Sequence, residues 1–323
     1  MMGIEIKTPV PLFLQKVSIF LDNCGIDPVS GSPAEMEIRD FSRTESIFYW
    51  VSGFFIAAND YLKALDTLVA HKAYSFAPWS YARGLIEAAT ICTWLLEKSI
   101  DSKERVSRSL SLRYTSLTQQ IKLARYDGDN ALIKKITTRI DDIEETTVVG
   151  LGYKLIRDRK NRRIGIGQKK PSITSLVEQQ FGQEKLYRIL SGMAHSTYTT
   201  LTSLSFTKEN LERKSGAVIR EAVPITFQEM LVSEAAKIYV KCLWLKTTQY
   251  GFDAAKAAVL FEELYDELKL SDQNNNRFWR TIIQNHADKT SKNTSHHFRQ
   301  PSEWQHGVEQ NRIPSCGSWL SHC

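Results

Sequence analysis

Residues 76–96, FAPWSYARGLIEAATICTWLL, carry only two charged side chains, Arg83 and Glu87. A helix this apolar around its whole circumference is stable only when neighbours cover most of it. It therefore belongs at the centre of a larger body. The two charges are four residues apart, one helical turn, and so share a face. Burying either alone is prohibitive, whereas a close pair with further hydrogen bonds is tolerated. The expectation is an inner Arg83–Glu87 ion pair on a central helix.

The flanking sequence supplies the cover. Apolar residues recur at helical spacing, and no run alternates at period two for long enough to build a sheet. A short helix is expected near residues 12–23, followed by a loop carrying the turn signals GIDPVSGSP. Longer helices follow at about 42–70, 78–99, 101–127 and 130–147, then at 173–181, 184–205, 225–250 and 253–270. Asp101 or Ser102 can cap the helix at 101–127, and Gly251 ends the one at 225–250. The predicted fold class is all-α: a multi-helix bundle, with residues 101–147 forming a charged helical hairpin at its edge. The predicted organisation is an N-terminal segment at 1–40, a helical domain at 41–270, and a polar tail at 271–323. That tail is rich in Asn, Ser and His without periodicity, and is read as disordered.

The 323 residues carry a net charge of +6, with 42% hydrophobic and 24% charged residues, which is ordinary for a soluble protein. The positive charge is concentrated. Between Lys154 and Lys170 there are eight Lys or Arg and one acid, Asp158. A basic, Gly-containing loop of this kind can bind a phosphate backbone without reading sequence, and Lys160, Arg162 and Arg163 are its candidate contacts. Five scattered cysteines fit a reduced, cytoplasmic protein. The most apolar run, IFYWVSGFFIAA, is a dozen residues, against roughly 20 for a membrane span. No membrane partner is expected, and the N-terminus reads as lacking an export signal.

The stretch EKLYRILSGMAHST, from Glu184, holds the candidate site. On a continuous helix Arg188, Ser191 and His195 form a polar stripe, with Leu186, Leu190 and Met193 on the apolar side. Arginine offers fixed charge and a planar fork, and histidine a proton that titrates near neutrality. Together they suit RNA cleavage, with a cation on the scissile phosphate and a general acid or base beside it. The spacing Arg-x6-His resembles the signature of the HEPN superfamily (higher eukaryotes and prokaryotes nucleotide-binding). The wider stretch, from Pro171-x-x-Thr174 through Tyr187-Arg188-x-Leu190-Ser191 to His195, is also similar to a bacterial helical family of unknown function. The superfamily resemblance implies an all-α, metal-independent endoribonuclease of a bacterial toxin or defence system. It implies Arg188 and His195 as catalytic residues and the RNA 2′-hydroxyl as nucleophile. It also implies RNA as partner, with a second copy or an antitoxin-like protein beside it.

From the residues themselves, Glu87 is expected to orient His195 and Arg83 to reinforce the anion site, with Tyr187 and Ser191 as further contacts. All would share one polar pocket. No cofactor and no metal are expected, because the His and Cys spacings match no zinc module and no phosphate-loop or dinucleotide fingerprint occurs. A second reading stays open: a non-catalytic interaction module in which Arg83, Glu87, Arg188 and His195 form a structural polar network.

Overall fold

The computed structural model describes residues 10–22, 24, 27–70, 77–195 and 225–267, all within one compact unit that ends at Ser271. The tail at 271–323 and the second half of the helix expected at 184–205 lie outside the described residues. Ten α-helices are present among those described, with one small hairpin, so the fold is all-α. They are α1 (Val10–Asp22), α2 (Pro33–Asp40), α3 (Glu45–Ala70), α4 (Ala77–Leu95) and α5 (Ser102–Tyr126). They continue as α6 (Asn130–Glu144), α7 (Ile173–Phe181), α8 (Glu184–Ala194), α9 (Ile225–Tyr250) and α10 (Ala254–Glu267). No helix among the described residues is long and apolar enough to cross a membrane.

The apolar segment is α4, and it occupies the centre, packed by α3, α7, α8 and α9. On α3, Phe48, Val51, Phe55, Ala58, Leu62, Leu65 and Val69 are buried at alternating steps of three and four. That spacing keeps one seam facing a partner along about six turns. On α4 the seam is met by Ala82, Leu85, Ile86, Ala89 and Cys92. The two helices approach closely at Gly84, where a Cβ would stand 2.8 Å from the Tyr61 ring. Helix α9 covers another side with Leu231, Ala235, Tyr239 and Leu243. Its polar atoms are tied to α3: the Tyr239 hydroxyl donates to Asn59 Oδ1 at 3.1 Å, and the Tyr250 hydroxyl donates to the Phe48 carbonyl.

Two expectations about chain path are corrected. The loop expected after the first helix contains α2. Ser32 caps it, accepting from Glu35 N at 3.1 Å, and Glu35 accepts from Gly31 N in return. This reciprocal cap was readable as Ser-Pro-Ala-Glu, with proline at the first helical position. The basic loop is not a loop throughout. It folds into an antiparallel hairpin, β1 (Leu155–Arg157) with β2 (Arg163–Ile166), too short for any alternation to register. Asp158 builds its turn by accepting from the backbone of Lys160 and Arg162, both at 2.9 Å, with Asn161 at φ 57°. The hairpin lies on α5, where Gly167 passes so close that a Cβ would meet Ser107 Oγ at 2.2 Å.

The first half of α5 is buried from Arg105 to Leu112, so only the far end of the α5–α6 hairpin projects from the body. Here Arg105 is nearly inaccessible, its side chain 3% exposed. It donates to both Glu37 oxygens, at 2.9 and 3.1 Å, and to the Leu95 carbonyl. Arg108 donates to the Trp94 carbonyl and to Glu97 Oε2, both at 2.6 Å, and lies over the Trp94 ring. Arg105→Met should destabilise the protein by about 3–5 kcal/mol, because Glu37 and the end of α4 lose a buried partner. Urea unfolding measures this, and the double variant with Glu37→Met should cost less than the single change.

Candidate functional site

Helix α4 directs Arg83 and Glu87 toward α8, and α8 answers with Tyr187. The Tyr187 hydroxyl donates to Glu87 Oε1 at 2.6 Å, and Arg83 Nε donates to the same oxygen at 2.9 Å. Arg83 then reaches His195, with Nη1 3.2 Å from Nε2. A guanidinium has no acceptor, so Nε2 must present its lone pair. The result is a continuous chain of contacts, Tyr187–Glu87–Arg83–His195, running from the buried face of α8 to the surface.

The two ends of that chain differ in burial. Tyr187 is buried, Arg83 and Glu87 are half-buried at 24% and 33% side-chain exposure, and His195 is exposed. The inner ion pair expected from the sequence is thus a rim pair. The flank of α4 that carries it is covered by the short α7 and α8, which leave an edge open. Burial first, and then the hydrogen bond and charge of Glu87, push the Tyr187 hydroxyl up to about 12, so it stays a neutral donor. Burial alone would weaken the proton affinity of Arg83, but its partners Tyr187 and Glu87 outweigh this and raise it. Lys170 closes the group. It is half-buried and within Coulomb range of Glu87, burial lowering its proton affinity and Glu87 opposing that. Lys170 precedes Pro171 and the Ser172 cap of α7, and α7 packs on α4, which carries the end of the basic segment to the site.

Other predicted residues are placed differently. Arg188 is 68% exposed and turns back along its own helix to Glu184, with Nη2 2.5 Å from Oε1. It does not share the Glu87 network, so the single pocket expected for Arg188 and His195 is not formed. Ser191 is half-buried on α8. His195 is not inside a helix either: α8 ends at Ala194, and His195 is its C-cap at φ −92°, ψ 6°. On the hairpin, Arg162 pairs with Asp158 and Lys160 is exposed. Arg163 is committed to α6, at 2.7 Å from Asp141 and 3.2 Å from Glu144. Among the described residues no group of three or more His, Cys, Asp or Glu is arranged to hold a metal. Lys170 was read only as one charge of the basic run, although the adjacent Pro-Ser helix start was the signal that it would be carried to α4.

Comparison with known proteins finds no matching family model, no similar curated protein and no similar solved structure. The chemistry of the site is what bears on function. It offers the Arg83 guanidinium, the Lys170 ammonium, one carboxylate, a neutral phenol and an exposed imidazole.

The raised Tyr187 hydroxyl has a consequence at high pH. Its folded proton affinity exceeds that of an unfolded tyrosine, so the stability it contributes is full below about pH 10 and is lost as pH rises toward about 12. Wild type should therefore lose more stability than Tyr187→Phe between pH 10 and 12, measured by chemical unfolding at each pH. Glu87→Gln should move the tyrosinate absorbance of Tyr187 to lower pH, read as a difference spectrum against the Tyr187→Phe, Glu87→Gln double variant.

Proposed function

We propose that this chain is a HEPN-like, metal-independent endoribonuclease whose acting pair is Arg83 and His195 rather than Arg188 and His195. The observation that carries the reading is the Arg83–His195 contact at the exposed end of the polar network. A neutral imidazole can take a proton from a 2′-hydroxyl, and the adjacent guanidinium can move onto the phosphate that the alkoxide attacks. Glu87 and Tyr187 hold Arg83 from behind, so the cation is positioned before substrate arrives. Lys170 supplies a second positive charge near the same carboxylate. The attacking oxygen displaces the 5′ oxygen of the next nucleotide, which takes up the proton that the imidazole removed, leaving a 2′,3′-cyclic phosphate and a free 5′-hydroxyl.

A second reading is favoured by one specific feature. Glu87 is satisfied from inside the chain by both Tyr187 and Arg83, as a structural tie between α4 and α8 would be. On that reading the protein is an interaction module and the network fixes helix register.

The two readings diverge in one assay. Purified full-length protein is incubated with a single-stranded RNA in excess chelator, and cleavage and end chemistry are followed. The ribonuclease reading expects cyclic-phosphate ends, a loss of about 100-fold or more in His195→Ala and in Arg83→Ala, and little change in Arg188→Ala. Wild-type cleavage no greater than that of His195→Ala leaves the interaction module as the function.

A further inference from the structure

Over about its first three turns α4 leaves one arc uncovered: Ser80 and Tyr81 are exposed, and Arg83, Gly84 and Glu87 are half-buried. Successive helical residues are turned by about 100°. Arg83 and Glu87 therefore stand at the α8 side of the arc, Gly84 in its middle and Tyr81 at the α3 side.

Tyr61 of α3 lies across Gly84. A Cβ on that glycine would stand 2.8, 2.9 and 3.0 Å from Cζ, Cε2 and Cε1 of the tyrosine. Near-equal distances to three adjoining ring atoms mean that the ring rests on the helix by its face, not its edge. Its other face is turned away from α4, and Tyr61 is 37% exposed. A side chain at position 84 would lift the ring off the helix, so Gly84 is what seats it. Tyr81 stands beside it, 38% exposed, with ring centroids 6.1 Å apart and planes at 71°. Single exposed aromatic residues are ordinary, but two held at a fixed angle present a shaped apolar surface.

The neighbour of this pair marks its ligand. Arg83 directly precedes Gly84, and consecutive α-carbons are about 3.8 Å apart. An open ring face and a guanidinium thus lie one residue apart on the same arc. A single-stranded nucleic acid has the matching pattern, a planar base beside an anionic phosphate. In a duplex the base faces are taken up by the duplex's own stack, whereas an unpaired base can lay its face on an aromatic side chain.

We propose that Tyr61 and Tyr81 form a stacking platform for one unpaired base of a single-stranded RNA, next to the phosphate that Arg83 takes. The platform selects single strands without reading base identity, because every base has a face to stack. The proposal rests on the ribonuclease reading for the identity of its ligand. It adds two residues from outside the Tyr187–Glu87–Arg83–His195 chain.

The probe is a short single-stranded RNA, 2′-O-methylated throughout so that no 2′-hydroxyl can attack, with 2-aminopurine placed at each position in turn. The fluorescence of 2-aminopurine falls when it stacks, and binding to the full-length protein is followed at fixed ionic strength. Cleavage of unmodified RNA is measured in parallel. Wild type should quench the probe at one position. Tyr61→Ala and Tyr81→Ala should each weaken binding about fivefold or more and relieve the quenching. Tyr81→Phe, which keeps the ring, should retain both, and Tyr49→Ala, at a 65% exposed position elsewhere on α3, should change neither. The duplex of the same sequence should bind at least about fivefold more weakly. If wild type cleaves RNA and both alanine variants bind and quench as it does, the platform is overturned and the ribonuclease reading stands. Equal affinity for the duplex overturns the platform as well. Tyrosine-dependent binding without any cleavage keeps the platform and overturns the ribonuclease reading, and a wild type that neither binds nor cleaves overturns both. If Tyr61→Ala fails to fold, Tyr81→Ala decides alone.

Discussion

The end of α4 is held by side chains from the next helix. The last carbonyls of any α-helix have no partner within it, and when the end is buried something else must satisfy them. Here Arg105 takes the Leu95 carbonyl and Arg108 that of Trp94, while Glu37, Glu97 and Glu104 balance their charges. Three elements meet at that clamp: α2 through Glu37, α4 through its terminus, and α5 through the arginines. It sets where α4 stops and which way α5 leaves. Because α4 is the helix that α3, α7, α8 and α9 pack against, its position also sets where Arg83 and Glu87 face the surface.

The composition of α8 explains why Tyr187 joined the network and Arg188 did not. Successive helical residues are turned by about 100°. Leu186, Tyr187, Leu190 and Met193 cover the buried arc of α8, and Arg188 is carried round to solvent, where Glu184 is one turn away. On an unbroken helix His195, seven residues on, would sit almost directly above Arg188 and share its exposure. The helix instead ends at Ala194, and the non-helical backbone of His195 lets its ring come to Arg83. A seven-residue spacing therefore led to a histidine that joins the polar network and to an arginine that does not.

The same contrast marks what was legible in the sequence. The all-α class, the central place of α4, the Asp101 cap and the ends of α7 followed from local signals: periodicity, capping residues and a scarcity of charge. Helix α2 was legible but overlooked, since Ser32, Pro33 and Glu35 spell out its start. The hairpin was not, because strands of three and four residues carry no measurable alternation and this one is held by contacts with α5. Nor were Arg105 and Arg108, which read as ordinary cations on a charged helix until the fold brings Glu37 to one and Trp94 to the other. In the candidate site Arg83, Glu87, Tyr187 and His195 were named from the sequence. How they connect depended on a helix end that periodicity alone placed about three turns too late.

Charge counting has a similar limit. Eight cations against one acid between Lys154 and Lys170 suggest a strong pull on a phosphate backbone. In the fold, Arg162 is taken by Asp158 and Arg163 by Asp141 and Glu144, while Arg157 donates to the Asn161 carbonyl. These contacts shape and anchor the hairpin, so the charge available to a ligand is smaller than the sequence total. What decides whether a cation can serve a ligand is whether the chain has already given it a counter-charge. By that measure Arg163 is committed to structure and Arg83 is shared between Glu87 and His195.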